Sequence, residues 1–389
     1  MVRVVVKFGG GDLSSGEKIQ RAAKLLAEAR FDEVVVVVSA MGKTTDSLTQ
    51  TVTQIGVSDV EWAEIISTGE RTSARIFCAA LRAQGLEAEV FDPAFNNWPI
   101  ITDQNFLNAT PDLEKTASLT AQFLMPLLGK VIPVVCGFLG KDPQGRVTTL
   151  GRGGSDTSAI LLARCILADQ IILVKETSGV LSADPKIVPD ARPLKKLEIH
   201  EMFDLAQGGA KIVKAAALKY KLANQTLRVV DFNSGNLAEG GTEITGSFNL
   251  DSAETLIQQG LIAVSIVCEV NAQNIREVFS ELKEKPVYGV SSGRKSITIF
   301  TTDGDVAQIL NQLHGIRDFK AVSHRENVAM IQISDPDFID SPGGIAKIAY
   351  ALSQALINII EVTTSKATIN VFIEENEIKR AKEAIENVV

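Results

Sequence analysis

A Val-rich run, Val2 to Val6, interrupted only by Arg3, and an all-apolar run, Val34 to Val38, stand near the start of the chain. Runs without polar alternation mark strands covered on both faces, as in a parallel sheet layered with helices. Between them, Gly16 to Ala29 carries Ile19, Ala22, Leu25 and Leu26 at helical spacing. Ala88 to Phe91, Val131 to Val135 and Ile171 to Val174 read as further strands. A long helical region lies between the second and third of these runs, with Ser67-Thr68-Gly69 read as a turn ahead of Glu70-Arg71. Strands alternating with helices predict an α/β class with a mostly parallel sheet, whose ligands bind at the carboxyl ends of strands.

The pattern changes between Asn233 and Ser252, a stretch rich in Gly, Ser, Thr and Asn that reads as a linker or hairpin. Beyond it the order becomes strand, helix, strand, strand, helix, twice over, from Leu261 to about His314 and from Val328 to Val389. In the second pass Ala329 to Ile333 is a strand. Asp340-Ser341-Pro342-Gly343-Gly344 turns into a helix from Ile345 to Leu356, and Ile357 to Val362 and Ala367 to Ile373 are strands. A repeat of roughly 60 residues used twice is too few copies for a solenoid, but two copies can pair sheet to sheet.

Composition narrows the function classes. The 389 residues suffice for two or three domains. With 47 acidic against 39 basic side chains, the chain is not a general nucleic-acid binder. The cysteines Cys78, Cys136, Cys165 and Cys268 lie far apart in apolar surroundings and read as core residues in a reducing compartment. The scattered His200, His314 and His324 offer neither a metal set nor a triad. No run reaches the ~18 apolar residues of a membrane span, and Lys7 and Gly9 interrupt the first apolar run too early for a signal peptide. A cytoplasmic setting is expected.

The chemistry concentrates in Thr148-Thr149-Leu150-Gly151-Arg152-Gly153-Gly154-Ser155-Asp156-Thr157. Glycines let backbone approach a ligand, and a helix starting behind them aims free N–H groups into the turn. Arg152 offers a fork for a carboxylate or phosphate. The stretch is therefore an anion-binding loop, or else a Gly-rich turn capped by Ser155 or Asp156. Lys7, before Gly9-Gly10-Gly11, is placed to carry charge to a phosphate, or is a solvated lysine at a strand end; the spacing is not that of a Walker A loop. Glu70 on a helix is a solvated face unless it meets Arg152, when the two form a clamp for a zwitterion. Val174 to Lys186 is a nucleotide-facing loop or an ordinary surface turn; composition does not choose.

In order, Lys7-Phe8-Gly9-Gly10, Ser39 to Thr45 with Asp46, Ser67-Thr68-Gly69-Glu70-Arg71 and Thr148 to Asp156 resemble the aspartokinase branch of the amino acid kinase family. Asp184-Pro185-Lys186, Val188-Pro189-Asp190-Ala191 and Gly209-Ala210-Lys211 extend the match, and the C-terminal repeat resembles the family's paired ACT modules. The resemblance implies a three-layer αβα kinase domain over residues 1–250, followed by ferredoxin-like α+β modules at 258–325 and 326–389. It implies transfer of the ATP γ-phosphate, with Mg²⁺ bridging the phosphates, to the side-chain carboxylate of aspartate. Carried over by position, Lys7 stabilises the phosphoryl in flight and Asp156 orients lysines. Gly9 and Gly10 hold phosphate oxygens. Glu70 takes the substrate ammonium and Arg152 its α-carboxylate, with Thr45 and Ser155 in contact. Lys175, Glu176, Lys186 and Lys211 fall near the nucleotide. A homodimer through the ACT modules and an amino acid effector at Ser341, Gly343, Gly344, Asn358 and Ile359 are also implied. The first copy has Asn271-Ala272-Gln273-Asn274 in place of the Pro-Gly turn, so a purely dimerising role stays open.

The chain also departs from the family pattern. Gly11-Asp12-Leu13 stands where Thr-Ser-Val is usual, and Lys175-Glu176 where Thr-Asp is usual. Leu181 replaces a tyrosine, and Val213-Lys214-Ala215 a Leu-His-Pro stretch. If Asp12 points inward, it weakens the binding of a second carboxylate. Phosphorylation of homoserine on the same scaffold is therefore an alternative, and a non-catalytic amino-acid-sensing subunit a more distant one.

Overall fold

The computed structural model describes residues 1–210, 212–248, 253–282, 285–302, 304, 306–335, 338, 343–365 and 367–388. The chain forms two compact units, Met1–Phe248 and Asn249–Val389. Lys211, Ser341 and Pro342, and positions 249–252 of the expected linker, lie outside the described residues.

The first unit runs β1 (Arg3–Phe8), α1 (Gly16–Ala29), β2 (Glu33–Val38), α2 (Thr44–Ile55), α3 (Asp59–Ala83), β3 (Ala88–Phe91), α4 (Leu113–Phe123) and β4 (Ile132–Cys136). It continues with a short hairpin of β5 (Leu139–Lys141) and β6 (Val147–Thr149), then α5 (Gly154–Cys165), β7 (Gln170–Lys175), β8 (Lys196–Glu198), α6 (Ile199–Gln207), α7 (Ala215–Leu218), β9 (Thr226–Asp231) and β10 (Thr242–Thr245). Eight strands make one sheet in the order β3-β4-β2-β1-β7-β9-β10-β8, parallel except where β10 returns against β9. That return is the hairpin half of the expected linker or hairpin, and it extends the sheet.

The apolar runs lie where both faces are covered. Val4 to Val6 and Val35 to Val38 are fully buried. Side chains alternate across β1, so Phe8 stacks near Phe77 of α3 while Lys7 turns to the opposite face, towards α5. α5 is buried on every side from Gly154 to Ala163, apolar from Ala159 to Ala163, as a helix enclosed between layers is. The α/β class and the three-layer arrangement follow directly.

Ser67-Thr68-Gly69 is not a turn. It lies inside the 25-residue α3, which starts from a reciprocal capping box of Ser58 and Glu61. The Ser67 and Thr68 hydroxyls bond back to the carbonyls of Glu64 and Ile65, so neither disturbs the helix. Gly69 permits a close approach, because a Cβ there would sit 2.8 Å from the Ala40 Cβ.

The second unit runs β11 (Glu254–Val267), α8 (Ala272–Leu282), β12 (Val287–Ser292), β13 (Ser296–Thr302), α9 (Val306–His314), β14 (Ala321–Ser334), α10 (Gly344–Gln354), β15 (Glu361–Ser365), β16 (Thr368–Glu374) and α11 (Ile378–Glu386). The expected order recurs twice, with two differences. The strand expected at Ile357–Val362 begins at Glu361, because Leu356 takes a left-handed conformation and Ile357 turns into the core. The strand expected at Ala329–Ile333 is the 14-residue β14, which runs across the seam of the repeat. It pairs along β11, from Glu254 opposite Ser334 to Val267 opposite Ala321, with register shifts near Gly260.

The sheet order β12-β13-β11-β14-β16-β15 thus joins both copies. One face carries two apolar clusters, Ile262, Val264, Ile297 and Ile299 under α8 and α9, and Ile331, Val371 and Ile373 under α10 and α11. The other face folds on itself. Phe300 of β13 stacks on Phe372 of β16 with ring centroids 3.7 Å apart, and Ser291 of edge strand β12 bonds Glu361 of edge strand β15 at 2.7 Å. Among the described residues no helix is long and apolar enough to cross a membrane. Phe300→Ala should cost the second unit about 3–5 kcal/mol, seen as a lower thermal midpoint, whereas Ser291→Ala should cost about 1 kcal/mol or less.

Candidate active site

β1, β2, β4 and β7 end together, and the polar loops that follow them meet at one edge of the sheet. Lys7 and Asp156 are 6% and 5% exposed. The Lys7 Nζ lies 2.8 Å from the Asp156 Oδ1, and the Lys175 Nζ lies 3.1 Å from the Oδ2. Burial alone would raise the Asp156 pKa; the charges of Lys175 and Lys7, with their hydrogen bonds, outweigh it and hold the carboxyl at about 2. Asp156 also sits in the first turn of α5, where free N–H groups favour an anion. Burial pushes the Lys175 ammonium down and Asp156 pulls it back up; Lys7 repels it. The result is one carboxylate holding two ammonium groups side by side.

The loop before α5 is capped by Gly153 rather than by Ser155 or Asp156, which both lie inside the helix. Ser155 packs against the residue after β4: a Cβ on Gly137 would fall 2.8 Å from the Ser155 Cβ. Arg152 is exposed between two left-handed glycines and pairs with no carboxylate among the described residues.

Glu70 reaches the same edge from the α3 side. It is 3% exposed; its Oε1 accepts the Ala40 N–H at 3.1 Å, and its Oε2 is buried without a partner. Burial lifts its carboxyl to about 7, against the lowering pull of the Ala40 N–H and the nearby Thr45 hydroxyl. Thr45 itself stands in the first turn of α2. No direct contact joins Glu70 to Arg152.

Gly9, expected to hold a phosphate oxygen, donates its N–H to the Asp12 Oδ2 at 2.8 Å. The Gly10 carbonyl accepts from the Gly42 N–H, tying the loop after β1 to the loop after β2. Glu176, expected near the nucleotide, is bound to Lys18 of α1 at 2.6 Å, and Lys18 also donates to the Gly11 carbonyl. Lys186 is exposed in a turn that the Asp184 side chain closes through the Lys186 N–H. In the second unit, Gly343 caps α10 in a left-handed conformation and Gly344 begins it. Asn358 is exposed, while Ile359 packs against the module core.

Two residues beyond the expected set belong to the site. Lys214 donates to the Leu150 carbonyl at 2.7 Å and packs on Gly153, holding the Gly-rich loop. Its only sequence signal is its place in a stretch that departs from the family pattern. Asp12 carried a stronger one, a carboxylate three residues after a glycine at a strand end.

Residues 2–231 match the amino acid kinase family, and residues 323–387 match the ACT domain. The chain belongs to the amino acid kinase family. It is 31% identical to the aspartokinase of Corynebacterium glutamicum, over 99% of this chain and 95% of that protein. It is 29% identical to aspartokinase 2 of Bacillus subtilis, over 98% and 96%. Among solved structures, aspartate kinase from Synechocystis shares the fold with a TM-score of 0.75 at 24% identity, over 99% of this chain and 69% of that one. Aspartokinase III of E. coli, solved with aspartate and ADP, aligns over 100% and 99% with a TM-score of 0.58 at 21% identity.

Asp156→Asn leaves two facing ammonium groups without their shared counter-charge and should cost about 3–5 kcal/mol of stability. Because the native carboxyl is held at about 2, below its ordinary 3.8, that difference is full above about pH 4 and shrinks as pH falls towards 2. Denaturant titrations of both proteins across this range measure it.

Proposed function

We propose that the protein is an aspartate kinase, transferring the γ-phosphate of Mg-ATP to the side-chain carboxylate of L-aspartate to give 4-phospho-L-aspartate. The observation that carries this reading is the buried Glu70, with one carboxylate oxygen unpartnered, opening at the end of β2 next to the Lys7–Asp156–Lys175 cluster. One feature suits an ammonium and the other a phosphate, and they lie at neighbouring strand ends. The names of the full-length relatives support the same choice.

The donor set fits a nucleotide's phosphates: two ammonium groups and a helix N-terminus at one edge. Mg²⁺ in this reading is held mainly by the nucleotide's phosphates. When bound, the magnesium nucleotide supplies the phosphoryl group and screens its charge. The chain's part is positioning and electrostatics. Lys7 and Lys175 lie where negative charge develops, and Asp156 keeps them from splaying apart. Glu70 receives the α-ammonium and Arg152 the α-carboxylate, with Thr45 and Ser155 alongside. A carboxylate acceptor is already ionised near neutral pH and needs no general base. Asp156, held at about 2 and shared by two lysines, is a poor one.

Lys186 and Lys211 serve the nucleotide in this reading. The second unit binds an amino acid effector near Gly343, Gly344 and Asn358 and joins two copies of the chain, which works in the cytoplasm.

Purified protein with Mg-ATP should release ADP with L-aspartate and form a hydroxamate with hydroxylamine; turnover with L-homoserine alone would reject the reading. Glu70→Gln should raise KM for aspartate about 100-fold with a smaller effect on kcat. Glu70 must be ionised to face an ammonium, and in the free protein it titrates near 7. KM for aspartate should therefore rise as pH falls below about 7, approaching tenfold per unit, and the Gln variant should lose this dependence.

A further inference from the structure

Asp12 is a buried carboxylate at this edge that the mechanism above does not use; Glu176, also unused there, is paired with Lys18. It is 2% exposed. Its Oδ2 accepts the Gly9 N–H at 2.8 Å, and its Oδ1 is buried without any partner. An orphaned buried carboxylate oxygen is costly, and it is relieved either by a donor or by a proton. A Cβ on Gly9 would lie 3.2 Å from the Asp12 Oδ2 and 3.6 Å from the Lys7 Nζ, so the carboxyl and the ammonium flank the same glycine.

The charged groups facing Asp12 come from three elements. Lys7 lies on β1, Lys175 and Glu176 lie at the end of β7, and Lys18 of α1 neutralises Glu176. Asp156 on α5 stands beyond the two lysines. With Asp12 ionised, Lys7 and Lys175 are matched by Asp12 and Asp156, and these four groups carry no net charge. With Asp12 neutral they carry one positive charge, which a phosphate requires.

We propose that Asp12 takes up a proton from solvent when the nucleotide's terminal phosphate enters the site, and that the neutral carboxyl then donates through Oδ1 to a phosphate oxygen while Oδ2 keeps the Gly9 N–H. Asp12 is thus a binding residue that couples nucleotide affinity to pH. The inference rests on the reading that Lys7 and Gly9 line the phosphate site. Burial already pushes this carboxyl up to about 6, outweighing the Gly9 hydrogen bond and the pull of Lys7 and Lys175, with Glu176 adding to the rise. An incoming anion repels the ionised form and raises it further.

The surroundings are built for this arrangement. The Glu176 carboxylate lies over Gly11: a Cβ there would fall 2.8 Å from the Glu176 Oε2. Lys18 straps the Gly11 carbonyl to the same Glu176. Gly11, Asp12, Lys175 and Glu176 are therefore neighbours in space, and both Lys175 and Glu176 act on the charge of Asp12.

The test is calorimetric binding of the Mg²⁺ complex of an imido-bridged ATP analogue to the full chain near pH 7, in buffers of differing ionisation enthalpy. The buffer dependence counts protons taken up. The wild type should take up close to one proton per site more than Asp12→Asn, whose amide donates permanently; the nucleotide's own protonation cancels in the difference. Between about pH 6.5 and 8 the wild-type Kd should weaken by up to tenfold per unit more than that of the Asn variant. Asp12→Ser, which retains an acceptor for Gly9, should behave as the Asn variant does and covers the case in which Asn fails to fold. Equal proton uptake in wild type and variants overturns the proposal while leaving the kinase reading intact. Absence of any analogue binding to the wild type overturns the phosphate site and the proposal together. Glu70 cannot mimic the result, because pairing with an ammonium releases a proton instead of consuming one.

Discussion

Asp156 held between two ammonium groups is the contact on which the first unit's chemistry depends. A carboxylate so deeply buried would ordinarily be neutral. It stays ionised because Lys7, at the end of β1, and Lys175, at the end of β7, converge on it from neighbouring parallel strands, and because the first turn of α5 adds its free N–H groups. The three elements that supply the cluster are also buried in the core. Fixing the sheet register therefore fixes the charges, and no loop rearrangement is needed to assemble them.

The departures from the family pattern, which look like four unrelated changes along the sequence, are fewer in space. Gly11 makes room for Glu176, Glu176 holds Lys18, and Lys18 returns to the Gly11 carbonyl. Asp12 and Lys175 add one charge of each sign to the same cluster. Lys214 fastens the Gly-rich loop through the Leu150 carbonyl, a separate tie.

Much of this was legible in the sequence where one rule governs one stretch. Val-rich runs gave buried parallel strands, and the apolar residues behind the Gly-rich loop gave the helix that starts there. The sequence failed where two distant segments decide together. Ser67-Thr68-Gly69 has the composition of a turn but is helical, since its hydroxyls are satisfied one turn back and its glycine meets Ala40. Whether Asp12 points inward could not be read from its neighbours; it is settled by the Gly9 N–H three residues earlier and by the closure of the loop under Glu176. The start of β15 was misplaced because Ile357 is apolar for the sake of the core, not of a strand.

The long strands of the second unit set an order of events for the chain during its own synthesis. The second half of β11, Leu261–Val267, finds its partner β13 within the first copy of the repeat, Val267 opposite Ser296 and Leu261 opposite Thr302. The first half finds none until β14 exists, for Glu254 waits for Ser334. Until then it is an open strand edge carrying Leu256 and Ile257, able to pair with any extended segment nearby. A chain halted between the two copies would therefore be sticky rather than merely incomplete, and the second copy acts as the cover for the first.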